Sequence, residues 1–137
     1  LHENLELILE RKYNFEELMI FDLLEAKIED FKLLYPNIIF ELECPINETI
    51  YTDKKSFIRI IDNILSNSSK YSSESPKIKV TYKDRRLSIQ DNGKGIKYPY
   101  GIGMHIVHRL CDNLNIEISV KSEENIGTKI ELVYMIS

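Results

Sequence analysis

Cysteine is scarce in this chain: Cys44 and Cys111 are the two cysteines among its 137 residues, and they show no Cys-x-x-Cys spacing. That argues against a disulfide framework or a zinc site and suits a reducing compartment, with two buried thiols as the expectation. Chain breakers are few, four prolines and five glycines, yet Gly93, Gly95, Gly101 and Gly103 crowd into one stretch. Long apolar runs are missing: nothing approaches the roughly 18 to 20 consecutive positions that a membrane span needs. The N-terminus has no charged, apolar, small-residue cleavage pattern, so a soluble piece is expected. Positive charge is not in excess either. Eighteen basic against 22 acidic residues leave a net charge of -4 without a basic stripe, which makes nucleic acid an unexpected partner. What remains is an ordinary globular composition, 43% hydrophobic and 29% charged, of the size of one domain.

Apolar periodicity supplies the elements. Leu1, Leu5, Ile8 and Leu9 have helical spacing and read as the tail of something longer. An extended stretch near 15–20 follows, then an amphipathic helix marked by Phe21, Leu24, Ile28, Phe31 and Leu34 or Tyr35, which Pro36-Asn37 stops. A strand at 38–42 and a strand or edge near 49–51 precede Asp53, a candidate N-cap for a helix that carries Phe57, Ile60, Ile61, Ile64 and Leu65 on one face to about Tyr71. After the Ser-Ser-Glu-Ser-Pro loop at 72–76, alternation at Ile78, Val80, Tyr82, Leu87 and Ile89 predicts a hairpin. An apolar helix over about 103–114 and strands around 117–121 and 128–134 complete the chain. This order predicts an α+β, two-layer sandwich: a mixed, mostly antiparallel sheet of about five strands covered on one face by three helices. The aromatic residues Phe31, Tyr35, Phe40 and Phe57 are expected in its core.

Three segments carry chemistry. Asn63, Asn67, Lys70 and Tyr71 project from one side of the second helix, away from its apolar face. A carboxamide oxygen is a neutral, hard ligand that suits Mg²⁺, and Lys70 would offer an ammonium to phosphate. In Asp91-Asn92-Gly93-Lys94-Gly95-Ile96 a carboxylate stands at a strand end before two glycines that permit close backbone approach. A buried aspartate can accept a hydrogen bond from the exocyclic amine of adenine, where an unpaired partner costs about 1–3 kcal/mol. Gly101-Ile102-Gly103 opens a helix whose N-terminal N–H groups could meet an anion. Taken singly, each has a plain alternative: a solvated or capping asparagine, an Asp-x-Gly turn, a glycine break before a packed helix.

Their order and spacing resemble one family, the catalytic domain of sensor histidine kinases, within the Bergerat-fold superfamily shared with type II topoisomerases, heat-shock chaperone ATPases and mismatch-repair ATPases. Residues 59–72 resemble its N box, Asp91 to Ile96 its adenine-binding box, Gly101-Ile102-Gly103-Met104-His105-Ile106-Val107 its second glycine box, and Gly127-Thr128 its closing motif. The resemblance covers about 12–136 and leaves 1–11 as the end of a preceding dimerisation-hairpin helix. It implies that Asn67 ligates Mg²⁺, that Asn63 and Lys70 contact phosphates or their ion, and that Tyr71 lies beside the nucleotide. It further implies that Asp91 binds adenine N6 with Thr128 in support, that Gly93 and Gly95 shape the adenine pocket, and that Gly101 and Gly103 meet the phosphates. Ile96 and Met104 belong to the same implied ATP-contacting set.

Four residues before Asn67 the hydrolytic branches carry a glutamate that can activate water; this chain has Asn63, which cannot usefully accept a proton. The resemblance therefore implies a protein histidine kinase catalytic domain, not self-sufficient for autophosphorylation. It would transfer the ATP γ-phosphoryl to a histidine on the dimerisation hairpin, for relay to a response regulator. The alternatives are a Bergerat-fold ATPase and a non-catalytic nucleotide-binding module. The implied setting is a cytoplasmic domain of a parent anchored in the inner membrane, the fragment itself being monomeric. Two departures stand out. Only Lys97, Tyr98, Pro99 and Tyr100 separate Ile96 from Gly101, where the family has a longer mobile ATP lid. His2-Glu3 fits the phosphoacceptor dipeptide only superficially, since too few residues follow it to complete a hairpin, and His105 and His108 are expected to be structural.

Overall fold

The computed structural model describes residues 13–70, 73–95 and 102–135. The expected hairpin-helix end at 1–11, Tyr71, and the short connection at 96–101 with Ile96 and Gly101 lie outside the described residues. The elements are β1 (Phe15–Met19), α1 (Ile20–Leu34), β2 (Ile39–Glu43), β3 (Thr49–Asp53), α2 (Lys54–Lys70), β4 (Lys77–Lys83), β5 (Arg86–Asp91), α3 (Ile102–Asn113), β6 (Ile116–Glu123) and β7 (Gly127–Tyr134). Five strands form one sheet in the order β2-β4-β5-β7-β6, parallel between β2 and β4 and antiparallel elsewhere. The expected α+β two-layer sandwich is thus the observed one, with an added two-stranded antiparallel sheet of β1 and β3. Among the described residues no helix is long and apolar enough to cross a membrane.

Alternation along the strands decides which face the helices cover. Ile78, Val80 and Tyr82 of β4, Leu87 and Ile89 of β5, and Ile130, Leu132 and Tyr134 of β7 point into one core with Phe57, Ile60, Ile61, Ile64 and Leu65 of α2. Each fully buried Ile or Leu among them contributes about 1.5–3 kcal/mol. The opposite face is charged and is laced by ion pairs between Lys77 and Glu41 (3.0 Å) and between Lys79 and Glu43 (3.1 Å), with Arg86 paired to Glu131. The β4–β5 hairpin turns through Asp84 and Arg85 at φ 49° and 67°, the twist that a two-residue connection needs.

Three expectations need correction. On α1 the covered stripe is Ile20, Leu24, Ile28 and Phe31; Phe21 is half-buried and Leu34 is 69% exposed, because the helix ends there and Tyr35 packs in its place, stacked on Phe31 at 6.2 Å. Cys111 is buried as expected, but Cys44 lies just past the end of edge strand β2 and is only partly covered. Of the four aromatics, Phe31 and Phe57 are buried, whereas Tyr35 and Phe40 pack on the core from its rim.

Candidate functional site

Asp53 starts the helix on which half of the site stands. Its Oδ2 accepts from Ser56 N at 3.0 Å and Ser56 Oγ at 2.6 Å, an N-cap with the side chain on the N3 amide. Its Oδ1 accepts from Asn14 N at 2.9 Å, which fastens the lead-in to β1 to the same point. From there α2 buries Phe57, Ile60, Ile61, Ile64, Leu65, Ser68 and Ser69. Asn63, Asn67 and Lys70 follow at i, i+4 and i+7 along the margin of that buried face: both asparagines are half-covered and Lys70 is exposed. Among the described residues the Asn67 side chain makes no hydrogen bond, so its carboxamide oxygen has no competing partner.

The first turn of α3 packs on this margin. A Cβ at Gly103 would lie 2.8 Å from Asn63 Oδ1, so with the helix starting this near any larger residue requires the Asn63 side chain to shift. The Asn63 amide is itself held back on α2, Nδ2 donating to Arg59 O at 3.0 Å. Met104 is fully buried in the core beneath that turn.

Asp91 ends β5 opposite Thr128, the second residue of β7. Its Oδ1 accepts from Gly93 N at 2.9 Å and from Thr128 N at 3.1 Å. Both bonds fall on one oxygen, so the carboxylate is oriented by backbone alone, and among the described residues Oδ2 accepts no hydrogen bond. Gly95, at φ 85°, lies so close to Glu123 O that a Cβ would meet it at 2.6 Å. Gly127, at φ 144°, is tighter still: a Cβ there would meet Asp91 O at 2.0 Å. Thr128 is 3% exposed, its Oγ1 2.9 Å from Ser122 Oγ on β6.

The sequence-derived residues therefore fall into two clusters. Asp91, Gly93 and Thr128 are joined by hydrogen bonds, and Asn63 and Gly103 touch; no hydrogen bond joins one cluster to the other among the described residues. The order of motifs did not single out Asn92 or Ser122. Asn92 Oδ1 accepts from Lys77 N at 2.8 Å and its Nδ2 donates to Ser75 O at 2.9 Å, tying the turn after Asp91 to the loop that precedes β4. Aligning the last two strands as a hairpin would have placed Ser122 opposite Thr128.

The donor set offers no carboxylate cage. Among the described residues no group of three or more His, Cys, Asp or Glu side chains could hold a metal ion. A half-buried carboxamide without another partner nevertheless fits an ion that draws its remaining ligands from phosphate and water.

Comparison with known proteins agrees with this geometry. The family described as histidine kinase-, DNA gyrase B-, and HSP90-like ATPases matches residues 52–135. The sensor protein kinase GraS of Staphylococcus aureus (strain JH1) is 28% identical over 119 positions, which cover 69% of this chain and 34% of that protein. The sensor histidine kinase YxdK of Bacillus subtilis (strain 168) is 24% identical over 156 positions, 93% of this chain and 48% of that protein. The chain thus spans between a third and a half of the curated relatives it matches. The YxdK alignment has more positions than this chain has residues, so that relative carries residues with no counterpart here. Among solved structures, the cytoplasmic segment of histidine kinase QseC superposes with a TM-score of 0.80 at 18% identity, covering 99% of this chain and 91% of that one. The mycobacterial sensor histidine kinase MprB gives 0.76 at 20%, covering 88% and 97%. At such identities the likeness bears on the fold, whereas the family match takes in more than half of the chain, from the cap of α2 through Thr128. The chain belongs to the histidine kinase-, DNA gyrase B- and HSP90-like ATPase family, as an ATP-binding domain of the sensor histidine kinase type.

Proposed function

We propose that this domain binds ATP with Mg²⁺ and, within a longer protein, donates the γ-phosphoryl to a histidine on a dimerisation hairpin, from which a response regulator takes it. The observation that carries the reading is the Asp91 carboxylate: two backbone N–H groups fix Oδ1 and leave Oδ2 as an aimed acceptor. Adenine offers an amine to that oxygen. Guanine offers a carbonyl, and the resulting unpaired, repelling contact costs about 1–3 kcal/mol in a desolvated pocket.

The phosphate side follows from α2 and the start of α3. Lys70, exposed at the last turn, is free to swing its ammonium to the phosphates, and Asn63 and Asn67 present carboxamides from the preceding turns. Asn67 Oδ1 would hold the Mg²⁺, which when bound supplies charge neutralisation to the phosphates. Gly103 admits the chain close to Asn63, and Gly101, Tyr71 and Ile96 complete the set by resemblance. Catalysis of this kind is positioning and charge neutralisation, with little covalent work for the protein. Asn63 separates this reading from a hydrolase, because an amide cannot take the proton of an attacking water. The γ-phosphoryl is kept for an acceptor imidazole brought from outside the domain. The setting proposed is the cytoplasmic side of a membrane-anchored parent, with this domain monomeric by itself.

Calorimetric titration of the 137-residue chain with non-hydrolysable ATP and GTP analogues, with and without Mg²⁺, tests the site. The expected result is binding that Mg²⁺ strengthens, with a preference for adenine that Asp91→Asn removes. Equal affinity for both bases, unchanged in Asp91→Asn, would sink the reading. Transfer is tested by supplying the domain to an intact hairpin: label should appear on its histidine, whereas steady phosphate release lost in Asn63→Ala would favour an ATPase.

A further inference from the structure

Register sets three polar side chains in a row at one end of the helix-covered face. Ser122 of β6 stands opposite Thr128 of β7, and Thr128 opposite Asp91 of β5. Directly opposed residues of antiparallel strands share a face. That face is otherwise apolar along the same strands, with Ile118 and Val120 before Ser122 and Ile130 and Leu132 after Thr128. Hydrogen bonds link the row: Ser122 Oγ to Thr128 Oγ1 at 2.9 Å, and Thr128 N to Asp91 Oδ1 at 3.1 Å. Thr128 is 3% exposed, while Ser122 lies exposed on an edge strand.

We propose that Ser122 is a positioning residue for purine recognition: its hydroxyl donates to Thr128 Oγ1 and so turns the Thr128 proton towards the base that Asp91 Oδ2 would bind. The proposal rests on the reading of Asp91 as the acceptor for adenine. A threonine hydroxyl has one proton and two lone pairs and is a rotor until a neighbour fixes it. Accepting from Ser122 occupies one lone pair, turns the proton away from β6 and strengthens it as a donor. A 6-aminopurine shows an amine beside an acceptor ring nitrogen, which a carboxylate beside a hydroxyl proton complements. A 6-oxopurine shows the inverse, a carbonyl beside a ring N–H, and meets the wrong group at both points. Without Ser122 the Thr128 hydroxyl can turn a lone pair towards the ring N–H, so half of the discrimination is relaxed while that of Asp91 stays. Ser122 is outside the core, and truncating it leaves the packing intact.

The test is the ratio of affinities for non-hydrolysable ATP and ITP analogues, measured on the full chain, wild type against Ser122→Ala, Ser122→Thr and Asp91→Asn. Ser122→Ala is expected to lower the ATP-over-ITP ratio about 3- to 10-fold, the worth of one hydrogen bond. Ser122→Thr should restore it, and Asp91→Asn should lower it further. A uniform loss of affinity for both nucleotides in Ser122→Ala, or a ratio within twofold of wild type while Asp91→Asn collapses it, overturns the role of Ser122 and leaves Asp91 standing. A ratio that Asp91→Asn does not move overturns both.

Discussion

Asp91 depends on a residue that makes no hydrogen bond to it. Gly127 passes so close that an added methyl would sit 2.0 Å from Asp91 O, and its φ of 144° is one that side-chain-bearing residues rarely adopt. The obstruction is backbone, so it cannot swing aside. Gly127→Ala combines backbone strain of about 1–3 kcal/mol with a steric clash of about the same size. We expect it to lower Tm by on the order of 10 °C and, in the fraction that stays folded, to weaken ATP-analogue binding at least tenfold, since β5 must move away from β7 just where Thr128 N holds Oδ1. Thermal melts with calorimetry check both; a stable variant with wild-type affinity would show that the Asp91–Thr128 contact is dispensable. The equivalent change at Gly103 should be milder, because its nearest neighbour is the end of the Asn63 side chain.

At the scale of elements, α2 joins stability to function, and its two ends can be separated. Asp53 caps the first turn and holds Asn14, whereas Asn63, Asn67 and Lys70 lie three to five turns further on. Asp53→Ala strips the cap and leaves buried N–H groups unpaired, for about 1–3 kcal/mol. Urea unfolding should show that loss with Asp53→Asn intermediate, and nucleotide affinity measured well below the transition should be unchanged. A parallel loss of affinity would mean that the cap reaches the site. This helix was legible in the sequence, as were β4, β5 and β7, because a strict period of 3.6 or 2 survives wherever one face is buried. The end of α1 was legible too, from Pro36-Asn37, but the choice between Leu34 and Tyr35 for its last apolar contact was not: both fit the spacing, yet Leu34 faces solvent and Tyr35 stacks on Phe31. The β1–β3 pair and the parallel β2–β4 ladder were hidden for another reason, since pairing between segments far apart leaves no local period. The site divides the same way. Asp91 with its glycines is a contiguous motif that reads directly, while the reach of Thr128 to Asp91 came only from the resemblance. Asn92 and Ser122 stand on strand register rather than on a motif: Ser122 was within reach of a hairpin alignment of β6 and β7, whereas the two bonds of Asn92 to the loop before β4 needed the folded sheet.

Over the whole molecule, the groups with clearly shifted protonation among the described residues are two thiols and two phenols, three of them in the core and Cys44 packed against its edge. Burial, helped by Asp112, pushes the Cys111 thiol up to about 12, and burial with Glu48 pushes Cys44 to about 11. Burial and Glu48 likewise hold the Tyr82 phenol at about 12, and Tyr134, fully buried beside Cys111 and Tyr82, is held well above the ordinary phenol range. All four are acids that ionise more readily in the unfolded chain, at about 9 for the thiols and about 10 for the phenols. The sign follows from linkage: where the unfolded state has lost a proton that the folded state keeps, stability falls with rising pH. Their contribution is complete below pH 9 and is lost as pH climbs from about 9 towards 12. Urea midpoints taken between pH 8 and pH 11 should therefore decline, and the decline should be shallower in Cys111→Ala, which removes one of the deeply shifted groups while starting from a lower midpoint. A slope identical in the two proteins would mean that the Cys111 thiol is as free to ionise in the fold as out of it. ATP-analogue affinity over the same range is the complementary readout, because none of the four groups faces the nucleotide in the proposed site. Affinity should hold until the fraction folded itself begins to fall, and an earlier decline would mean that one of the four groups reaches the site.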